Sequence, residues 1–396
     1  MRVALIVEWL EPWRGGAETS ARQFIDHLSD SGVQLDIITR SHISPRPGMN
    51  VHTVRVSGPS RAIKTINFVR KADRCARGLG VDAVHAITAI PSCDIYQPRG
   101  GTIAETLVRD LVARSSPVSR ALKRASATLN VKQRWLLNLE RRLLATPGGP
   151  TVIAISDYVA RQLASHYHVA PDRIARIYNG VDPDTADAES RARDRRRIRA
   201  MYAVADDEPL AIMVAHNFRL KGLQSWIEAL AKLRQAGSRV RSLVIGAGSI
   251  APWQRLVLRR GLGTALRFTG PTERVRAFYH SADMLVHPTF YDPCSRVVLE
   301  AMVSGLAVIT TRFDGASEVI EPGENGWVID GPDDVEALVA GVRRLETDAA
   351  LRRAMGRRAT QVASRVSMEA HALKVMSLYE SLRAGSKRRD SAPVMA

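Results

Sequence analysis

Cysteine is scarce in this chain: Cys75, Cys93 and Cys294 are the only three in 396 residues. Their wide separation matches no zinc site or disulfide framework, which points to a reducing cytosol. Long apolar runs are missing too. The run Val3–Val7 stops at Glu8, far short of a signal core, and no later stretch reaches the ~18 apolar residues of a spanning helix. Neither a disulfide scaffold nor a membrane-spanning chain is expected. Acids are outnumbered, 40 Asp and Glu against 57 Lys and Arg, for a formal net charge of +17. Such an excess attracts nucleic acid, an anionic membrane surface or a strongly anionic substrate, and composition does not choose among them. What is abundant is ordinary. A chain with 45% hydrophobic and 24% charged residues is globular, and its length fits two domains better than one.

Apolar runs alternate with amphipathic segments, the pattern of two α/β units with parallel sheets. In the first, strands are expected at 2–8, 33–39, 51–56, 83–86, 94–97, 152–156 and 174–177. A Gly-rich turn, Arg14-Gly15-Gly16-Ala17-Glu18, opens a helix to about Ser31. Ser156-Asp157 reads as a helix N-cap. A basic stretch at 186–199 reads as a surface helix. The second series of strands runs 209–215, 242–246, 266–270, 284–287, 307–310 and 326–329. Helices follow from about Val335, with an unstructured end after Arg383.

One pattern carries chemistry more than the rest. In Tyr291-Asp292-Pro293-Cys294-Ser295-Arg296-Val297-Val298-Leu299-Glu300, two carboxylates stand eight positions apart between two buried strands. The first follows a strand and the second falls in the helix after it. Open parallel sheets bind ligands at the carboxyl ends of their strands. A bend between the two acids would place both on one nucleotide-sized ligand, and N–H groups at the helix start would add an anion site.

Taken in order, these segments resemble the retaining glycosyltransferases of family 4. Gly15-Gly16-Ala17-Glu18 is similar to that family's N-terminal glycine pair. Ile155-Ser156 and Ile177-Tyr178-Asn179-Gly180-Val181-Asp182 are similar to the signature that closes its first domain. Phe218-Arg219-Leu220-Lys221-Gly222 resembles its basic phosphate-binding segment. Leu243–Gly248 and Phe268-Thr269-Gly270 follow as its nucleotide-side strands. Asp292 with Glu300 resembles its E-x7-E motif, with aspartate in the first place. The Arg219-x-Lys221-Gly222 spacing and Asp94-Ile95-Tyr96 resemble the branch of lipopolysaccharide-core glucosyltransferases. Two departures stand out: Pro98-Arg99-Gly100-Gly101 where members often carry a histidine, and Cys294-Ser295 where Phe-Gly is common. These leave the sugar and the acceptor-side residue open.

The resemblance implies an α/β GT-B fold, two Rossmann-like, doubly wound domains facing a central cleft. Residues 1–182 would bind acceptor, 205–370 the nucleotide sugar, and 371–396 would form a C-terminal helix and tail. It implies retaining transfer of a hexose from a nucleotide diphosphate sugar, a UDP-sugar, to a membrane-associated glycolipid or lipopolysaccharide-type acceptor. No metal and no other cofactor are expected, and the enzyme would work on the cytoplasmic face of the membrane.

The chemistry assigns roles on that frame. Charge grows on the diphosphate as the glycosidic bond breaks, so fixed cations and dipoles are needed there. Arg219 can fork across two oxygens while Lys221 acts as a point charge. Cys294, Ser295, Arg296 and Val297 begin the helix whose N–H groups would add to them. Glu300 would accept from a ribose diol, and Asp292 from the transferred hexose. Gly15 and Gly16 would let backbone approach the donor. On the acceptor side His85, Asp94 and Arg99 are expected at strand carboxyl ends, with Asp94 the preferred catalytic acid. Asp182-Pro183-Asp184 has a metal-binding form but falls in the closing turn, and His166-Tyr167-His168 reads as packing and surface.

Residues 109–142 carry nine Lys or Arg against Asp110 and Glu140. Leu122, Leu129, Leu136 and Leu143 repeat at seven, and Pro117 suits a helix start. This is a cationic amphipathic segment suited to an anionic leaflet. Nucleic acid is not the expected partner, since only Trp135 interleaves the cations and no recognition motif is present. The alternatives are a nucleotide-sugar epimerase of the same fold and a basic surface- or nucleic-acid-binding protein.

Overall fold

A computed structural model of the chain describes residues 1–11, 15–114 and 116–390, with the side chains at 128 and 385–390 outside the description. They form two compact units. One comprises Met1–Leu107, Pro117–Gly180 and the segment from Met368 onward; the other comprises Val108–Ser116 and Val181–Ser367.

The first unit holds a seven-stranded sheet ordered β3-β2-β1-β4-β5-β6-β7. Its strands are β1 (Arg2–Ile6), β2 (Gln34–Thr39), β3 (Met49–Thr53), β4 (Ala83–Ala86), β5 (Ile95–Tyr96), β6 (Thr151–Ala154) and β7 (Ile174–Arg176). Every pair is parallel. Val3–Ile6 is buried without a gap, as expected where helices cover both faces. On one face lies α1 (Gly16–Asp30), whose Ala21, Phe24, Ile25 and Leu28 recur at helical spacing and are all buried. Helix α2 (Arg61–Arg77) follows β3. Three helices, α3 (Ile103–Val112), α4 (Pro117–Leu129) and α5 (Val131–Ala145), separate β5 from β6, and α6 (Asp157–Tyr167) follows. Ser156 caps α6 by accepting from the Val159 N–H.

The second unit is built the same way on six strands, β10-β9-β8-β11-β12-β13. They are β8 (Leu210–Val214), β9 (Arg241–Ile245), β10 (Leu266–Gly270), β11 (Met284–His287), β12 (Ala307–Thr311) and β13 (Trp327–Ile329), again all parallel. In each sheet the order reverses beside the first strand, between β1 and β4 and between β8 and β11. Ligands bind at such a point in doubly wound folds. Trp226 of α8 (Leu223–Gln235) is fully buried, and its indole N–H donates to Ser242 Oγ at 2.8 Å.

Three expectations change. The basic helix α7 (Ala188–Met201) is not simply a surface element. It packs on α10 (Val275–Ser281), and its Arg199 is 1% exposed. Arg199 donates to the carbonyls of Ser281 and Ala205 and pairs with Asp283, so burial is offset by hydrogen bonds. The last helix, α14 (Met368–Asp390), continues past Arg383, starts before residue 371 and belongs to the first unit. The 109–142 segment does not present one leucine stripe. Asn130 accepts from the Gln133 N–H and restarts the helix as α5, so Leu122 and Leu129 are 67% and 80% exposed while Leu143 is buried.

Candidate active site

Gly222 fixes the first feature of the site. It takes φ 77°, and a Cβ there would lie 1.8 Å from the Pro288 carbonyl oxygen. No other residue fits. This close approach seats the start of α8 against the end of β11, where the Phe290 N–H donates to the Leu220 carbonyl at 2.8 Å. Lys221 is thereby aimed at the first acid. Its Nζ donates to Asp292 Oδ2 at 2.5 Å and to the Tyr291 carbonyl at 2.9 Å. His287, the last residue of β11, brings Nε2 to 3.5 Å from the same carboxylate oxygen.

A second carboxylate backs the first. Beyond β12, residue 314 runs beside 292: the Asp292 N–H donates to the Phe313 carbonyl and the Gly315 N–H to the Asp292 carbonyl, each at 2.9 Å. Asp314 is fully buried, and its Oδ1 accepts from the Ser295 and Ala316 N–H groups. Burial alone would raise the Asp292 carboxyl, but the Lys221 ammonium and His287 outweigh it and hold the group well below the usual range. Asp314 moves the other way: burial first, then the negative Asp292, push it up to about 6. The Thr310 hydroxyl faces His287 O at 3.1 Å and Asp314 Oδ2 at 2.9 Å. It has one proton for two oxygens. A proton on Asp314 Oδ2 resolves this, donating to Thr310 while Thr310 donates to His287.

Helix α11 (Arg296–Val303) begins next to this pair. Ser295 is its N-cap, accepting from the Val298 N–H, and its hydroxyl lies 3.4 Å from His287 Nε2. Cys294 and Arg296 are buried, and Val297 is half-buried in the first turn. One turn on, Glu300 accepts from the Tyr279 hydroxyl at 3.0 Å and from Arg296 at 2.8 Å. Each of its oxygens holds one donor, leaving acceptor capacity on both. The structure therefore gathers Lys221, Asp292 and the 294–297 turn around one strand end. Arg219 stands in the loop before α8, exposed, with no side-chain hydrogen bond or ion pair among the described residues.

In the first unit, Gly15 is the N-cap of α1 and Gly16 its first residue, at the carboxyl end of β1; Arg14 lies outside the described residues. Asp94 is not where the sequence placed it. It precedes β5, so it lies at the amino edge of the sheet, where its exposed carboxylate accepts from the Val84 N–H at 2.8 Å. That edge is opposite the ligand end of a parallel sheet. His85 is sealed: it is fully buried, with Nδ1 2.6 Å from the Tyr379 hydroxyl. Burial, then the charges of Arg99 and His371, hold its imidazole well below the usual range. Arg99 does follow a strand end, buried between Ser20, Gln97 and His371 and over the Phe24 ring at 4.8 Å.

Two family models match the chain, Glycosyltransferase Family 4 over residues 14–185 and Glycosyl transferases group 1 over 194–362. The chain is a GT-B glycosyltransferase. It is 25% identical over 284 residues to the lipopolysaccharide glucosyltransferase WaaG of Escherichia coli, covering 71% of this chain and 72% of that one. A solved structure of WaaG superposes with a TM-score of 0.79 at 21% identity, covering 95% of this chain and 99% of that one. HepE of Anabaena, solved in complex with UDP-glucose, superposes with a TM-score of 0.71 at 17% identity, over 96% and 100% of the two chains.

In this glycosyltransferase the Asp182-Pro183-Asp184 turn has a structural occupant. The Asp184 side chain is fully buried against Arg191 at 3.0 Å, His280 at 2.9 Å and Arg276 at 3.5 Å. His166 pairs with Glu105 at 2.7 Å, and His168 is the left-handed C-cap of α6. The sequence reading missed His287, Asp314 and Thr310 as site residues. The polar run Thr310-Thr311-Arg312-Phe313-Asp314 after an apolar strand was the available signal.

Proposed function

We propose that this glycosyltransferase moves a hexose, with retention, from a nucleotide diphosphate sugar of the UDP-glucose kind to a membrane-associated glycolipid of the lipopolysaccharide type. The observation that carries the donor half is Lys221 held at 2.5 Å from Asp292 beside the first turn of α11. In this reading the leaving diphosphate takes its counter-charge from Lys221, from the exposed Arg219 and from the helix start, and no metal takes part. Asp292, kept ionised by Lys221 and His287, accepts from hexose hydroxyls, and Glu300 from the ribose. Tyr279 and Arg296 hold Glu300 in one orientation. The UDP-glucose bound to HepE and the lipopolysaccharide glucosyltransferase activity of WaaG support this choice of donor and acceptor class.

The first unit takes the acceptor in this reading. Support for a membrane location is the face of α4 and the start of α5, where Val118, Leu122, Leu129 and Val131 are 64–80% exposed among exposed Arg120, Arg124 and Arg134. No helix among the described residues is long and apolar enough to cross a membrane. The test is a thermal-shift panel of nucleotide diphosphates and their sugars, followed by transfer assays with and without EDTA. Stabilisation by UDP and UDP-glucose, activity that survives chelation and an α-linked product are expected. A protein that ignores every nucleotide sugar, or one whose activity needs Mg²⁺ or Mn²⁺, overturns the reading.

A further inference from the structure

On the first unit, α2 and α5 enclose a concavity of about 610 Å³ well outside the strand ends described above. Arg70 and Arg74 reach it from α2 and Arg142 from α5. None of the three makes a side-chain hydrogen bond or ion pair among the described residues. A fourth arginine there, Arg77, is paired with Asp73 at 2.6 Å. Between the cations the wall is formed by Val69, Pro91, Trp135 and Leu139, with Asn138 the one uncharged polar side chain. Residues 131, 135, 139 and 142 fall at helical spacing, so the pocket wall continues along α5 from the exposed Val131.

Helix dipoles explain part of this. Arg74 and Arg77 stand in the last turn of α2 and Arg142 in the last turn of α5, where cations are favoured. That reason does not extend to Arg70, a turn earlier. Nor does it explain why three further guanidiniums share the hollow with an indole when its one carboxylate, Asp73, is already held by Arg77 and the Ser92 N–H, since like charges repel unless an anion joins them. A guanidinium trio fits phosphoryl oxygens by forked hydrogen bonds. An indole beside aliphatic side chains fits the boundary between headgroup and acyl chain.

We infer that the α2–α5 hollow is a binding pocket for the phosphoryl headgroup of an anionic phospholipid, with Arg70, Arg74 and Arg142 on the phosphate and Trp135 and Leu139 on the first acyl carbons. It rests on the membrane part of the reading above and not on the transfer chemistry. It adds a discrete lipid site to a surface that would otherwise hold the leaflet only by diffuse charge.

The full chain is titrated with dihexanoyl phosphatidylglycerol below its micelle concentration, and in parallel with dihexanoyl phosphatidylcholine and inorganic phosphate. Saturable binding of the anionic lipid is expected, well above the other two. In the Arg70→Ala/Arg74→Ala variant, and separately in Arg142→Gln on the other helix, affinity should fall about tenfold, as loss of one to two surface cations implies. Leu122→Ser/Leu129→Ser on α4 should leave it unchanged even where binding to phosphatidylglycerol vesicles is lost, which separates this pocket from the amphipathic anchor. Folded arginine variants that titrate as wild type overturn the inference. So does phosphate binding as tightly as the lipid, which makes this a small-anion site, or the neutral lipid matching the anionic one.

Discussion

In the first unit His85, Gln97 and Tyr379 are fully buried, and Arg99 and His371 are 7% and 2% exposed. In the second, the side chains of Lys221 and Asp292 keep 19% and 15% exposure, and Arg219 is open. Both clusters lie at the carboxyl side of a parallel sheet next to its reversal point, so topology alone does not separate them. The difference comes from α14. That helix brings His371 and Tyr379 onto the first cluster, where they meet Gln97, Tyr178 O and His85. Buried polar groups that satisfy each other stabilise and specify a fold. An ion pair left partly open can exchange its partner for a ligand. The same kind of residues therefore reads as architecture in one unit and as chemistry in the other.

The sharpest way to break that contrast is Lys221→Ala. Turnover should drop ~10²–10³-fold, the usual cost of one donor to a developing anion, with the circular dichroism spectrum unchanged. Near-wild-type transfer by the folded variant would reduce the second cluster to architecture as well. The mirror experiment is Tyr379→Phe, which removes the hydroxyl 2.6 Å from His85 Nδ1. It should cost about 1–3 kcal/mol in urea unfolding and leave the turnover of the folded protein alone. A large fall in turnover at unchanged stability would show that the sealed cluster reacts.

Asp314→Asn sharpens the contrast within the second unit. Burial beside Asp292 pushes the carboxyl up from an ordinary 3.8 to about 6, so the protonated form is favoured by folding. Its stabilising proton is fully held below the unfolded value and is lost as pH rises through about 6. Asparagine keeps that arrangement at every pH: Oδ1 accepts from residues 295 and 316, and Nδ2 donates to Thr310. Between pH 4 and 7 the wild type should lose on the order of 1–3 kcal/mol relative to the variant; parallel stability curves would refute the assignment. The smallest effect is expected at α4. Leu122→Ser, at a side chain 67% exposed, should change stability by no more than about 0.5 kcal/mol while weakening vesicle binding. A larger destabilisation in dilute solution would mean that this face is packed.

How far the sequence could be read depended on how local the determining forces are. Strand positions came from apolar runs, because a strand covered on both faces must be apolar throughout. Val3–Ile6 and Met284–Val286 show this. Boundaries shifted where strands stop pairing before the apolar residues stop, as at 174–177. Lys221 with Asp292 was legible because a basic loop after one strand and an acid after another must meet at the same sheet edge. Asp94 was misplaced because it opens the expected strand 94–97, and the first residue of a strand stands at the amino edge of a parallel sheet, not at its carboxyl end. Arg199 looked solvated because charge along α7 is dense, and only the packing of α10 shows which arginine turns inward. Arg109 was counted with the basic segment, yet it lies 4.0 Å over the Phe313 ring.

By itself the sequence determined the alternation of elements, the two parallel sheets and the acids and cations at the second sheet's edge. The elements follow from hydrophobic periodicity, and the charged groups from the strand that each one succeeds. Tertiary structure alone decided that Asp314 stands behind Asp292, that Asn130 divides the leucine repeat, and that Tyr379 closes over His85, 294 residues away in the chain. Those outcomes depend on which desolvated groups find partners. Pairing across such separations is fixed by packing, not by any local pattern.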